Sequence, residues 1–178
     1  MEGKKLLKGL IHIYTGDGKG KTTAAIGLGV RAAGHGLKVY MIQFMKGRVN
    51  YGELETIKSI PDFTIIQFGR PEFVNKANPE KIDIDGAADA LQHARQIISS
   101  GKYDVVILDE VNVAVDFGLI AAEDVLEIMR KKPAQVEMIM TGRNAKQEFI
   151  EAADLVTEMR EIKHYYSSGI EARLGIEF

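Results

Sequence analysis

The chain has 178 residues, 46% of them apolar, with 23 basic against 25 acidic side chains and a formal net charge of −2. That length fits one domain, residues 1–178, around a single filled core, and the near balance of charge argues against the broad basic face of a nucleic-acid binder. Cysteine is absent, which excludes disulfides, iron–sulfur clusters and thiolate metal sites.

The chain starts Met1-Glu2-Gly3-Lys4-Lys5, without the apolar run of a signal peptide, and no stretch is long enough to span a bilayer. A cytoplasmic protein with no membrane partner is expected. Leu10-Ile11-His12-Ile13-Tyr14 is short, β-branched and stops at a glycine-rich turn, so it reads as a strand. A helix is predicted over residues 21–33, closed by Gly34 and Gly36. Val39-Tyr40-Met41-Ile42-Gln43-Phe44 reads as a second strand, residues 52–59 as a short helix ended by Pro61, and Phe63-Thr64-Ile65-Ile66-Gln67-Phe68 as a third strand. Residues 69–82 show no period and contain Pro71 and Pro79; loops of that length inside a compact domain are usually functional or mobile.

Ile84, Ala88, Leu91 and Ile98 then mark one face of a helix ending near Ser100-Gly101. Val105-Val106-Ile107-Leu108-Asp109 is a nearly uninterrupted apolar strand, the kind buried on both faces. Residues 122–131 read as a helix stopped by Pro133, residues 136–140 as a strand, and Asn144 with Gln147 as a capping box opening the next helix. Residues 155–159 are a last strand candidate, and residues 163–178 carry no period. Strand–helix alternation of this kind gives an α/β fold, a mostly parallel sheet flanked by helices on both faces.

Gly16-Asp17-Gly18-Lys19-Gly20-Lys21-Thr22-Thr23 lies between the first strand and the first helix, the context that identifies a phosphate-binding P-loop. Gly16, Gly18 and Gly20 are expected to take backbone angles that side chains forbid, turning successive N–H groups toward one anion. The helix N-terminus behind them adds its dipole. Lys21 is placed to reach the terminal phosphates, and Thr22 to offer a hydroxyl to Mg²⁺. The strict motif has glycine at the position of Thr15, and here the glycine comes one place later.

Val105-Val106-Ile107-Leu108-Asp109-Glu110 resembles a Walker B element, with Asp109 or Glu110 holding the metal directly or through water. Arg143 follows the strand at residues 136–140 and should emerge on the same sheet edge as the phosphate loop, where its guanidinium could neutralise triphosphate charge. His12, His35, His93 and His164 have no metal-ligand spacing. These residues alone fit kinases, ATPases and several less usual transferases.

Several further segments resemble the P-loop class of corrinoid adenosyltransferases. They are Tyr14-Thr15-Gly16 leading into the loop, Arg31-Ala32-Ala33-Gly34-His35-Gly36, Gln43-Phe44-Met45-Lys46-Gly47, Leu108-Asp109-Glu110 and Thr141-Gly142-Arg143. Ala153-Asp154-Leu155-Val156-Thr157-Glu158-Met159-Arg160, Ile162-Lys163-His164, Gly169-Ile170-Glu171-Ala172 and Gly175-Ile176-Glu177-Phe178 extend the likeness to the end of the chain. The displaced Gly16 belongs to this family's form of the loop.

The resemblance implies a P-loop NTPase fold of recombinase-like architecture and transfer of the 5′-deoxyadenosyl group of ATP to the cobalt(I) of a reduced corrinoid, with triphosphate released. It implies ATP as co-substrate, Mg²⁺ or Mn²⁺ as cofactor, a flavin-type reductase supplying electrons, and a homodimer as a common assembly. The nucleotide in this family lies reversed relative to ordinary P-loop enzymes, exposing C5′, so Glu110 is expected to bind metal and not to activate water. Family members also place aromatic side chains beneath the corrin ring; the corresponding region is Gly69-Arg70-Pro71-Glu72-Phe73, whose one aromatic is Phe73. About nine residues precede the first strand, whereas some relatives carry a longer segment that covers the site. The alternative from the residues alone is a P-loop ATPase or a nucleotide-dependent regulatory switch.

Overall fold

A computed structural model describes residues 6–47 and 50–178. The N-terminal stretch that lacks an apolar leader, residues 1–5, lies outside the described residues. The chain alternates strand and helix in the order β1 (Ile11–Thr15), α1 (Lys21–Gly34), β2 (Val39–Gln43), α2 (Gly52–Lys58), β3 (Phe63–Gln67) and α3 (Lys81–Ser99). It continues with β4 (Val105–Asp109), α4 (Val111–Asp116), α5 (Ala122–Lys131), β5 (Glu137–Thr141), α6 (Gln147–Ala152) and β6 (Leu155–Glu158), and ends with a 3₁₀ turn at Tyr165–Ser168. The strands form one sheet in the order β3-β2-β4-β5-β1-β6, and every pairing is parallel.

Because side chains alternate across a strand, each face of the sheet can receive its own helices. Tyr40, Ile42, Val106, Leu108, Met138, Met140, Ile11 and Ile13 point to one side, where they pack with residues of α3, α4, α5 and α6. Val39, Met41, Val105, Ile107 and Ile139 point to the other, against Ala25 and Ala32 of α1 and Ile57 of α2. The central strands β2 and β4 are buried along their whole length, as their apolar runs require. Among the described residues no helix is long and apolar enough to cross a membrane.

Two local expectations fail for identifiable reasons. The inner face of α3 is Ala87, Ala90, Leu91, Ala94 and Ile98, while Ile84 stays 42% exposed and Ala88 faces outward. Asp83 takes the inward position instead, paired with Arg70 at 2.8 and 3.0 Å, and the alanines let the helix sit close to the sheet. The capping box assigned to Asn144 and Gln147 does not form: α6 is capped by Lys146 without a side-chain bond. Asn144 adopts a left-handed angle (φ 55) and donates to the Asp116 carboxylate at 2.9 Å. A capping box is built elsewhere, by Glu80 and Asp83 at the start of α3.

Parallel strands bring all six C-terminal ends to one edge, where open α/β sheets bind ligands. In register there lie Gln67, Gln43 and Asp109 on β3, β2 and β4. Gly47 and Gly69, just beyond β2 and β3, meet backbone to backbone: a Cβ on Gly47 would lie 2.6 Å from the Gly69 carbonyl oxygen, and one on Gly69 2.9 Å from the Lys46 nitrogen.

Candidate active site

The phosphate loop connects β1 to α1 and is held from outside by the segment after β6. Gly18 donates its N–H to the Met159 carbonyl at 2.6 Å, and Met159 donates to the Thr15 carbonyl at 2.8 Å. Gly16 and Gly20 have φ of 92° and 117°, as the loop's turn requires, but Gly18 is not among the glycines of positive φ. Its glycine is needed for a different reason: a Cβ there would lie 2.7 Å from the Met159 oxygen. Its N–H is also already engaged, so it is not one of the donors turned toward the phosphate cavity.

Lys21 opens α1 and is buried, its ammonium donating to the carbonyls of Gly16 and Gly18 at 2.7 Å each. Burial lowers its pKa below the usual lysine value, opposed by the nearby Glu110 carboxylate. The loop's own carbonyls thus satisfy the ammonium. Next in sequence, the Thr22 hydroxyl donates to Asp109 Oδ1 at 2.8 Å, tying α1 to the end of β4; Thr23 lines the cavity beside it.

Asp109 is wholly buried and fully coordinated by protein. Oδ1 accepts from Thr22 and from Thr141 (2.6 Å), and Oδ2 accepts from Gln43 (3.1 Å) and Lys46 (2.7 Å). Gln67 in turn donates to Gln43 at 2.9 Å, so a polar row crosses four neighbouring strands, from β3 to β5. Burial opposes ionisation of Asp109, but the Lys46 charge and the hydroxyl hydrogen bonds overcome it and hold the carboxyl below its ordinary range. Glu110 has the opposite setting. It caps α4 with a left-handed backbone (φ 65), its N–H donates to the Thr141 hydroxyl at 3.0 Å, and burial together with the Asp109 charge pushes its pKa up. Two adjacent carboxylates thus carry different protonation tendencies.

Two cavities flank the loop. One, about 250 Å³, is lined by Asp17, Gly18, Lys19, Lys21, Arg143, His164 and Glu177. Arg143 reaches it as the strand order demands and donates to the Asp17 carbonyl at 3.3 Å. The other, about 580 Å³, runs from Thr22, Thr23 and Glu110 past Lys46 and Tyr51 to residues 175–178. Phe73 lines neither cavity and is 86% exposed on the loop between β3 and α3. Lys46, Gln43 and Thr141 were not singled out as site residues, although each sits in a segment that resembles the family. Nothing in their own residue types marks them; the parallel register does.

The sequence profile of the family described as ATP:corrinoid adenosyltransferase BtuR/CobO/CobP matches residues 7–178. The chain belongs to that family. It is 34% identical to the corrinoid adenosyltransferase of Escherichia coli K12, covering 96% of this chain and 86% of that one. It is 36% identical to the Pseudomonas aeruginosa corrinoid adenosyltransferase and 39% identical to one from a Sinorhizobium species, again over 96% of this chain and over 84% and 81% of theirs. Adenosyl transfer from ATP to a corrinoid is accordingly the activity of this chain.

Among solved structures, the fold resembles a KaiC-like protein from Pyrococcus horikoshii OT3, with a TM-score of 0.57 over 88% of this chain and 75% of that one at 16% identity. It also resembles the cytoplasmic domain of the Thermomonospora curvata secretion ATPase EccC, with a TM-score of 0.55 over 93% of this chain and 22% of that one at 10% identity. Both likenesses bear on the fold, a P-loop NTPase architecture.

Proposed function

We propose that cobalt(I) of the bound corrinoid attacks the ribose C5′ of ATP while the C5′–O bond breaks, the electron pair leaving with triphosphate. The cobalt supplies the nucleophile, so the protein needs no general base; its work is to align C5′ and stabilise the departing anion. The observation that carries this assignment is the cluster of Lys19, Lys21 and Arg143 around one cavity of about 250 Å³ at the phosphate loop. Lys21 exchanges its carbonyl partners for phosphate oxygens, Arg143 adds a guanidinium, and the α1 N-terminus adds its dipole. Gly16, Asp17, Gly18, Lys19, Gly20, Lys21, Thr22 and Thr23 together form the nucleotide-binding loop.

The donor set fits a hard divalent cation such as Mg²⁺ or Mn²⁺. The Thr22 hydroxyl and the Glu110 carboxylate are oxygen donors on one cavity wall and would hold the cation there. Asp109 is spoken for by its four protein partners, so it acts through Thr22, which it orients, and not as a direct ligand. When bound, such a cation would offset the negative charge gathering on the departing triphosphate.

Phe73, on the loop after β3, is the aromatic we assign to the lower face of the corrin ring, where it keeps water and the axial ligand from cobalt(II). A flavin-type reductase supplies the electron, the assembly is a homodimer, and the site of action is the cytoplasm, where ATP and reductant are available. The deciding assay combines the protein, ATP, Mg²⁺ and chemically reduced corrinoid and identifies the products. Triphosphate with an adenosylated corrinoid is expected; orthophosphate without adenosylation would mean an ATPase or switch.

A further inference from the structure

Residues 165–178 follow the last strand and fold back over the phosphate loop, although they have no part in the sheet. Their anchor is Glu177, whose Oε1 pairs with Lys19 Nζ at 2.6 Å. The Tyr165 hydroxyl hydrogen-bonds the same carboxylate oxygen, and the ammonium also donates to Tyr165 Oη at 2.9 Å and to the Ile176 carbonyl at 3.1 Å. Arg173 closes the arrangement from outside, bonding Glu177 at 3.2 and 3.3 Å and stacking 4.7 Å over the Tyr165 ring. The carboxylate lines both cavities beside the loop, including the one shared by Lys21 and Arg143.

This arrangement conflicts with occupancy by a polyphosphate. Lys19 belongs to the phosphate loop, yet its ammonium is held by Tyr165, Ile176 and Glu177 of the tail, and a negative side chain borders the cavity that must receive three or more negative charges. Both features disfavour the anion while the tail is docked, and both vanish if the tail lifts.

We propose that Glu177 is a built-in competitor for Lys19: the triphosphate of the nucleotide displaces it, and the C-terminal tail opens as the phosphates bind. The inference rests on the phosphate loop holding the triphosphate. By linkage, a tail that must open lowers the apparent affinity by the fraction of molecules already open, and the ligand shifts the tail to the same degree. Opening also releases Arg173 from Glu177 into solvent, and redocking of Glu177 after the reaction helps expel triphosphate.

The test uses the full chain and inorganic tripolyphosphate. Calorimetry on the wild type, Glu177→Gln and Glu177→Ala should show both variants binding tripolyphosphate and ATP at least threefold more tightly than the wild type. In a separate measurement on the wild type, tripolyphosphate should accelerate tryptic cleavage after Arg173 at least threefold. Weaker or unchanged binding in the variants would make Glu177 a supporting residue for the loop and overturn the proposal, as would protection of Arg173 by the ligand. A wild type that binds neither ATP nor tripolyphosphate overturns the phosphate-loop assignment as well, which separates the two failures.

Discussion

Lys46 and Asp109 form an ion pair of 2.7 Å in which the Asp109 side chain has no exposed surface and the Lys46 side chain is 16% exposed. The aspartate charge raises the Lys46 pKa against the opposing effect of burial. Removing one member of such a pair leaves a buried, uncompensated charge. Lys46→Ala should therefore cost about 3–5 kcal/mol in denaturant unfolding at neutral pH. The pH dependence follows from the sign of the Asp109 shift. In the wild type its depressed pKa contributes stability that is present above the ordinary carboxylate value of 3.8 and lost as pH falls through the folded value. In Lys46→Ala burial dominates and raises that pKa, so the deficit against wild type should shrink on acidification. A deficit that stays constant with pH would mean that Lys46 stabilises by packing alone.

Lys21→Ala removes a charge-assisted contact to phosphate, worth roughly 1.5–3 kcal/mol. Nucleotide affinity measured by calorimetry should fall at least tenfold. The free protein also loses the ammonium's hydrogen bonds to the Gly16 and Gly18 carbonyls, the second of them buried, so its stability should fall as well. Undiminished ATP binding would remove Lys21 from the site.

Glu110→Gln should act in opposite directions on function and stability. The native carboxyl has a folded pKa above its ordinary value of 4.5, so the folded state holds a proton more tightly than the unfolded one. Its ionisation above the folded pKa destabilises the fold, and stability is regained as pH falls toward 4.5. The metal-free variant should melt at a higher temperature than wild type at pH 7 and lose that advantage near pH 4.5. Its adenosyl transfer should need more Mg²⁺ and be partly restored by added metal. Tight trapping of ATP with only hydrolysis lost would instead identify Glu110 as an activator of water.

Phe73→Ala tests the loop between β3 and α3. An apolar ring covering the lower corrin face excludes the axial ligand and makes cobalt(II) easier to reduce. Turnover starting from cobalt(II) should fall far more than turnover from chemically prepared cobalt(I), and the four-coordinate cobalt(II) spectrum should diminish. Equal slowing from both states would leave Phe73 only a role in shaping the loop.

The strands and the phosphate loop were legible because each rests on a local pattern: apolar runs of four or five residues, a glycine cluster, a Lys-Thr helix start. What depends on distant partners was not. Asn144 and Gln147 have capping-box spacing, but Asn144 serves Asp116, 28 positions away. Gly18 looked like a conformational glycine, and its need comes from Met159, a residue distant in sequence. The short helix α4 escaped notice because Val111–Asp116 is only six residues long and follows directly on the end of β4. The tail gave no periodic signal because it forms no regular element beyond a 3₁₀ turn and is fastened by side chains to the loop.

Gly47 and Gly69 bring the turn after β2 against the turn after β3, backbone to backbone. Neither glycine has a side chain to act as a cushion, so the turn after β2 and the turn after β3 touch through backbone alone. The first turn carries Lys46, which closes the Asp109 row; the second leads through Arg70, clamped to Asp83, toward Phe73. With Phe73 at the corrinoid as proposed, a shift of Lys46 on ATP binding should press on that loop through the two backbones. An alanine at position 47 or 69 would pry these turns apart, and it should uncouple nucleotide binding from corrinoid reduction while leaving the phosphate loop itself intact.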